Sequence, residues 1–205
     1  MKKRVYVLFI FLIYSVLLYG QKKRQNAVVT NEQSTLIDVR DNKTYKTVKI
    51  GDQWWMSQNL DYEVPGSLYY QNTSRSAPVF GRLYTWQMAQ EACPAGWHLP
   101  GDQDWMMLEA VLGIPDRYLD ETDFRGTDQG KQLKLKGSSG FNAVLGGYRT
   151  ADGQFAEMNI VGSYWTASEQ TRFDAWGRGL EADNPQISRR TFAKDYYFSV
   201  RCVKD

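Results

Sequence analysis

The sequence predicts an α+β domain of short antiparallel strands around two helices. Three observations carry this: β-prone runs bounded by turn signals occupy both ends of the chain, two helical patterns lie between them, and there is neither βαβ alternation nor an internal repeat. A length of 205 residues suits one domain with a substantial core. Aromatic residues make up 14%, with 7 Trp and 13 Tyr, which favours strands, or a surface that grips flat ligands, over a helical bundle.

The chain opens on "MKKRVYVLFIFLIYSVLLYGQ", in which Lys2, Lys3 and Arg4 precede an apolar run from Val5 to Tyr19 and the small Gly20. This is the pattern of an export signal over residues 1–20. The run is short of the about 18–20 residues a membrane span needs, so cleavage and no permanent span are expected. No cysteine stands at the junction, which argues against a lipid anchor. Without the three basic residues of the signal, 22 Lys and Arg face 23 Asp and Glu, a net charge of −1. That gives no electrostatic basis for binding nucleic acid. A secreted, periplasmic or cell-surface location follows.

Residues 21–34 read as a polar spacer and residues 35–205 as the domain. "TLIDVRDNKTYKTVKIGDQWWMSQNL" holds three short strands turning at Asp41-Asn42 and at Gly51-Asp52. The Pro-, Gly- and Ser-rich stretch that follows, residues 61–84, reads as a long ordered loop. Thr85 can cap a first helix that runs to Ala92 and stops at Pro94. The second helix begins at Gly101, places Asp102 and Asp104 where its dipole favours negative charge, sets Trp105, Leu108, Val111 and Leu112 on one face, and ends at Gly113 and Pro115. Residues 116–140 are ambiguous, with a short helix and a flexible turn as the reading. In the last third a hairpin is expected about Asp152-Gly153, and strands in "GSYWTASE", "DAWGRGLE" and "YYFSVRCVKD", with a loop at Asp183-Asn184-Pro185.

Cys93 and Cys202 are the chain's two cysteines, and in an exported protein an even pair is most simply a disulfide. The lone His98 invites an acid–base role, but no serine or cysteine stands in an activating motif, so a structural histidine is the better reading. One His and two distant Cys fall short of a zinc ligand set. Calcium would find oxygens at Asp38, Asp41 and Asn42 and at Glu181, Asp183 and Asn184; without EF-hand spacing, turn chemistry explains both clusters and no cofactor is expected. Within strands, the pairs Trp54/Trp55 and Tyr164/Trp165 must send one ring inward and one outward. The outward members either form a platform for sugar rings or pack beneath loops, with packing the preferred reading.

"DVRDNKTYKTVKIGDQWWMSQNLDY", "GRLYTWQMAQEACPAGWHLPGDQDWMMLE", "GGYRTADGQF", "GSYWTASE" and "YYFSVRCVKD" occur in an order that resembles the Fibrobacter succinogenes major paralogous domain. The resemblance spans about residues 35–205 and implies an exported bacterial module of adhesion or ligand binding. Where that family often carries a Gly/Asn-rich insertion, between Lys136 and Phe141, only "GSSG" stands here. More distantly, "GWHLPGDQDWMMLE" and "FSVRCVKD" are similar to segments of the formylglycine-generating enzymes, which implies a C-type-lectin-like fold. The reactive cysteine pair of those enzymes is missing here, as is the lectins' calcium signature, so neither activity is implied.

The expectation is thus a single C-type-lectin-like domain closed by Cys93–Cys202. Trp97, His98, Leu99, Pro100 and Trp105 form a structural corner between helix and sheet. Function is expected in binding a polysaccharide or an envelope protein, without catalysis, through outward members of Trp54/Trp55, Tyr69/Tyr70 and Trp165/Trp176 with Arg149 or Arg178 as polar companions. An enzyme on the same scaffold and a structural envelope component are the alternatives.

Overall fold

The computed structural model describes residues 32–205, so the expected signal lies outside the described residues. The described chain is mostly β: eleven strands in two sheets, with four short helices. The first sheet is ordered β1-β2-β3-β11-β4, from Gln33–Asp38, Lys43–Ile50, Gln53–Met56, Val203–Lys204 and Trp97–His98. The second is ordered β5-β10-β9-β8-β6-β7, from Asp123–Arg125, Ile187–Ala193, Asp174–Glu181, Val161–Glu169, Gly146–Arg149 and Phe155–Met158. All pairings are antiparallel except β6 with β8.

The helices are α1 (Ala77–Phe80), α2 (Trp86–Gln90), α3 (Asp102–Val111) and α4 (Gln129–Leu133). Thr85 caps α2, its hydroxyl accepting from the Met88 amide. α3 begins at Gly101, whose amide donates to Asp104 Oδ2 at 2.8 Å, and turns out at Gly113, which has φ +105. Only α3 exceeds five residues. The expected α+β, lectin-like layering is therefore corrected to a two-sheet β architecture with small helical inserts.

The physical reason lies in the missed strands. β10 (ISRRTFA) and β5 (DFR) turn arginines inward, Arg189 and Arg125, so neither shows apolar alternation. Their guanidinium groups are admitted to the interior by carboxylates on α3: Arg125 Nη2 donates to Glu109 Oε2, and Arg189 donates from Nε and Nη2 to Asp102. Conversely, "YYFSVRCVKD" is only partly a ladder strand. It runs as an extended seam between the sheets, pairing Phe198 with Tyr84, Tyr197 with Arg149, and Cys202 O with the Met56 amide.

Two core clusters flank this seam. In one, Trp55, Trp105 and Phe141 form a triangle with ring centroids 5.1–5.6 Å apart, joined by Tyr164. In the other, Trp165 packs on Phe198 at 4.4 Å with Tyr84, Met56 and Leu60. The Cys93–Cys202 disulfide is formed, with Cα atoms 5.9 Å apart, and ties the seam to the turn before β4.

Candidate functional site

On the six-stranded sheet, strand parity divides the residues into two faces. Tyr164 of β8, Arg178 and Leu180 of β9, and Ile187 and Arg189 of β10 face α3 and the core. Ser163, Gly179 and Ser188 take the opposite face, and the register places them in one rung, Ser163 beside Gly179 and Gly179 beside Ser188. Three small residues on adjacent strands leave a recess. A Cβ on Gly179 would stand 2.4 Å from Ser188 Oγ, so this floor has no room for a larger residue.

Larger side chains rise around the floor. At one end stand Tyr148, Tyr196, Phe192 and Phe198, with the Tyr148 and Tyr196 rings stacked 6.3 Å apart and 28° from parallel. At the other stand Ile160, Val161, Glu157 and Glu181. The result is a groove of about 480 Å³, within the range that holds small ligands.

Its electrostatics are one-sided. Arg190 lines the groove, but its Nε donates to Asp123 Oδ1 at 2.7 Å and its charge is spent there. Glu157 and Glu181 have no ion-pair partner among the described residues. Burial, reinforced by the charge of Glu157, raises the Tyr148 phenol above its ordinary value, so at neutral pH it remains a hydroxyl that can donate. Ser163 is 4% exposed, lines the groove, and has no hydrogen-bond partner for its hydroxyl among the described residues. The groove thus offers an aromatic wall, unpaired carboxylate acceptors and a free hydroxyl on its floor.

None of the eight residues expected from sequence to bind ligand lines this groove. Trp55, Trp165 and Arg178 have no exposure at all and are corrected to core residues. Tyr70 is buried against Phe155. Trp176 lies on the core-side parity of β9, covered by the Arg189 guanidinium 3.6 Å above its ring; Tyr69 is covered in the same way by Arg82 at 4.2 Å. Arg149 sits over Tyr197, and Trp54 is half-buried on β3, so the remaining candidates are dispersed. What the reading missed was Ser163, Gly179 and Ser188: Ser188 lies on β10, a strand the sequence pattern does not show, and only the register brings the three together.

In the corner, Trp105, Leu99 and Pro100 are buried, and Trp97 is half-buried in β4. His98 is exposed, with Nδ1 2.6 Å from Asp205 Oδ1 and Nε2 3.4 Å from Asp104 Oδ2. The calcium candidates serve turns: Asp38 pairs with Arg40, Asp41 Oδ1 accepts from the Lys43 amide, and Asn184 Oδ1 from the Gln186 amide. No cluster of three His, Cys, Asp or Glu able to hold a metal occurs among the described residues.

The model of the Fibrobacter succinogenes major domain matches residues 48–204. The chain belongs to this family. The match begins in β2 and ends in β11, and so takes in every strand of the groove. No curated protein and no solved structure matches the chain. Among the described residues no helix is long and apolar enough to cross a membrane.

Proposed function

We propose that this family member is an exported, non-catalytic binding module whose groove on the six-stranded sheet holds one or two sugar rings. The observation that carries the reading is the groove itself: a rung of small residues flanked by stacked tyrosines and unpaired acceptors. The apolar face of a pyranose suits an aromatic wall, and its hydroxyls suit Ser163, Glu181 and the Tyr148 hydroxyl. The basic-apolar N-terminus and the disulfide support export.

The unpaired Glu157 and Glu181 favour one second reading, glycoside hydrolysis, which uses a pair of carboxyl groups. The general acid of such a pair works from a sheltered position, whereas Glu157 is exposed, which weighs toward binding.

Purified protein mixed with insoluble cell-wall polysaccharides tests both readings. Saturable retention, lost in Tyr196→Ala and Ser163→Leu without release of reducing sugar, is the expected result. Sugar release abolished by Glu181→Gln would replace binding with hydrolysis, and no retention on any polysaccharide would remove the carbohydrate reading.

A further inference from the structure

Among the described residues five arginines are buried: Arg82, Arg125, Arg178, Arg189 and Arg201. The first four each face a carboxylate, on Glu63, Glu109, Glu109 with Asp102, and Asp102 respectively. Arg201 alone has none. Its Nε donates to Asn59 Oδ1 at 2.7 Å, its Nη1 to the carbonyls of Met56 and Phe141 at 3.0 and 2.5 Å, and its Nη2 to the Asn142 carbonyl at 2.9 Å. These neutral acceptors satisfy its hydrogen bonds and leave its charge uncompensated. Burial lowers the guanidinium to about 10, against an ordinary 12.5. A lone charge in a low-dielectric interior projects its potential farther than one in water.

Above Arg201 lies a hollow of about 320 Å³, separate in its polar residues from the sugar groove. No carboxylate lines it. Its polar lining beside Arg201 is Lys46 at the rim, Ser57, Gln58, whose Oε1 already accepts from the Lys46 amide at 2.7 Å and so leaves its Nε2 free to donate, and Asn142, whose Oδ1 accepts from the Lys136 amide at 3.2 Å and whose Nδ2 is spent on the Gly140 carbonyl at 2.9 Å. Ser57 is 8% exposed, and its hydroxyl has no partner among the described residues. Asp61, in the adjoining depression, already forms ion pairs with Lys43 at 2.8 Å and Arg82 at 3.8 Å. Pro78, Val79 and Leu135 supply an apolar side wall.

We propose that this hollow is a second binding site, for a sugar ring bearing a single oxyanion, a carboxylate or a sulfate ester. The oxyanion takes hydrogen bonds from Ser57, Gln58 and Lys46 and balances Arg201 from above, while the ring lies on the apolar wall. The site uses none of the residues of the sugar groove and does not depend on that assignment.

Calorimetric titration at low ionic strength with glucuronate, a glucose sulfate ester and glucose tests it. At least one charged sugar is expected to bind about tenfold more tightly than glucose, with binding weakened by salt. Preference for glucuronate or for the sulfate ester identifies which oxyanion the site takes. Lys46→Ala, at an exposed side chain, and Ser57→Ala, which removes a single unpartnered hydroxyl, are expected to weaken the charged sugar severalfold and leave glucose unchanged. Arg201→Met is expected to abolish the preference where near-ultraviolet circular dichroism shows it folded; should it not fold, the Lys46 and Ser57 variants decide alone. Equal affinity for glucose, absence of binding by either charged sugar, or indifference to Lys46→Ala and Ser57→Ala would overturn the proposal.

Discussion

Arg178 Nε donates to Glu109 Oε1 at 2.7 Å, and neither residue has any exposed surface. The bond fastens β9, from beneath the groove floor, to α3. Glu109 also accepts from Arg125 of β5, and Asp102, about two turns earlier on the same face of α3, holds Arg178 and Arg189. Two carboxylates on one helix thus anchor three strands. Removing Glu109 leaves the buried Arg125 without a counter-charge and Arg178 with Asp102 alone, so Glu109→Gln is expected to cost about 3–5 kcal/mol, a large share of a typical domain's stability. Urea unfolding measures it, and a loss below about 1 kcal/mol would contradict the anchoring role.

Acid should act on the same network. Burial alone would raise the carboxyls of Asp102 and Asp38, but hydrogen bonds from Arg189 and from Arg40 outweigh it, and both lie below the ordinary value of 3.8. A group whose folded value is depressed contributes stability above its unfolded value and loses it as pH falls through the folded one. The urea midpoint is therefore expected to be flat for these groups near neutrality and to drop below about pH 4. Asp102→Asn should flatten that acid limb while lowering the neutral plateau.

The disulfide joins residues 109 apart in sequence and holds the seam that runs between the sheets. In the chain-entropy model a loop of this length is worth about 4–5 kcal/mol, an upper figure. Cys93→Ser is expected to lower the urea midpoint without altering Glu109-dependent stability, since the bond lies on the side of the five-stranded sheet. Alkylation of both thiols in native protein isolated without reductant would instead show that the bridge does not form.

Much of the first sheet was legible because its residues obey local rules. Trp54 and Trp55 alternate, Gly51-Asp52 turns, and Thr85 and Gly101 cap helices where they were expected to. In the second sheet the hairpin about Asp152-Gly153 and the strands β8 and β9 were legible too, and only β5 and β10 were hidden, because their inward positions are Arg125 and Arg189, which in sequence look like solvated charges. Only a partner more than 60 residues away for Arg178 and Arg189, Glu109 or Asp102, makes them interior residues. The groove was illegible for a related reason: Ser163, Gly179 and Ser188 become neighbours through strand register, which no local pattern records.

That register also separates the two aromatic sets in a way binding can read. Trp176 is a neighbour of Gly177 on β9, but it points to the opposite face and spends its ring on Arg189. Tyr196 stands beside Tyr148 over the groove, its ring held by Phe192 and Phe198 as well. If stacking on the groove wall drives sugar binding, Tyr196→Ala should weaken retention by about tenfold, about 1.4 kcal/mol, while changing stability little. Trp176→Ala should do the reverse, loosening β10 through the loss of its Arg189 contact while leaving retention intact in the folded fraction. Measured together by polysaccharide retention and urea unfolding, the two variants form a crossed test. Equal losses of binding in both would mean that retention follows global stability and that the groove is not the binding face.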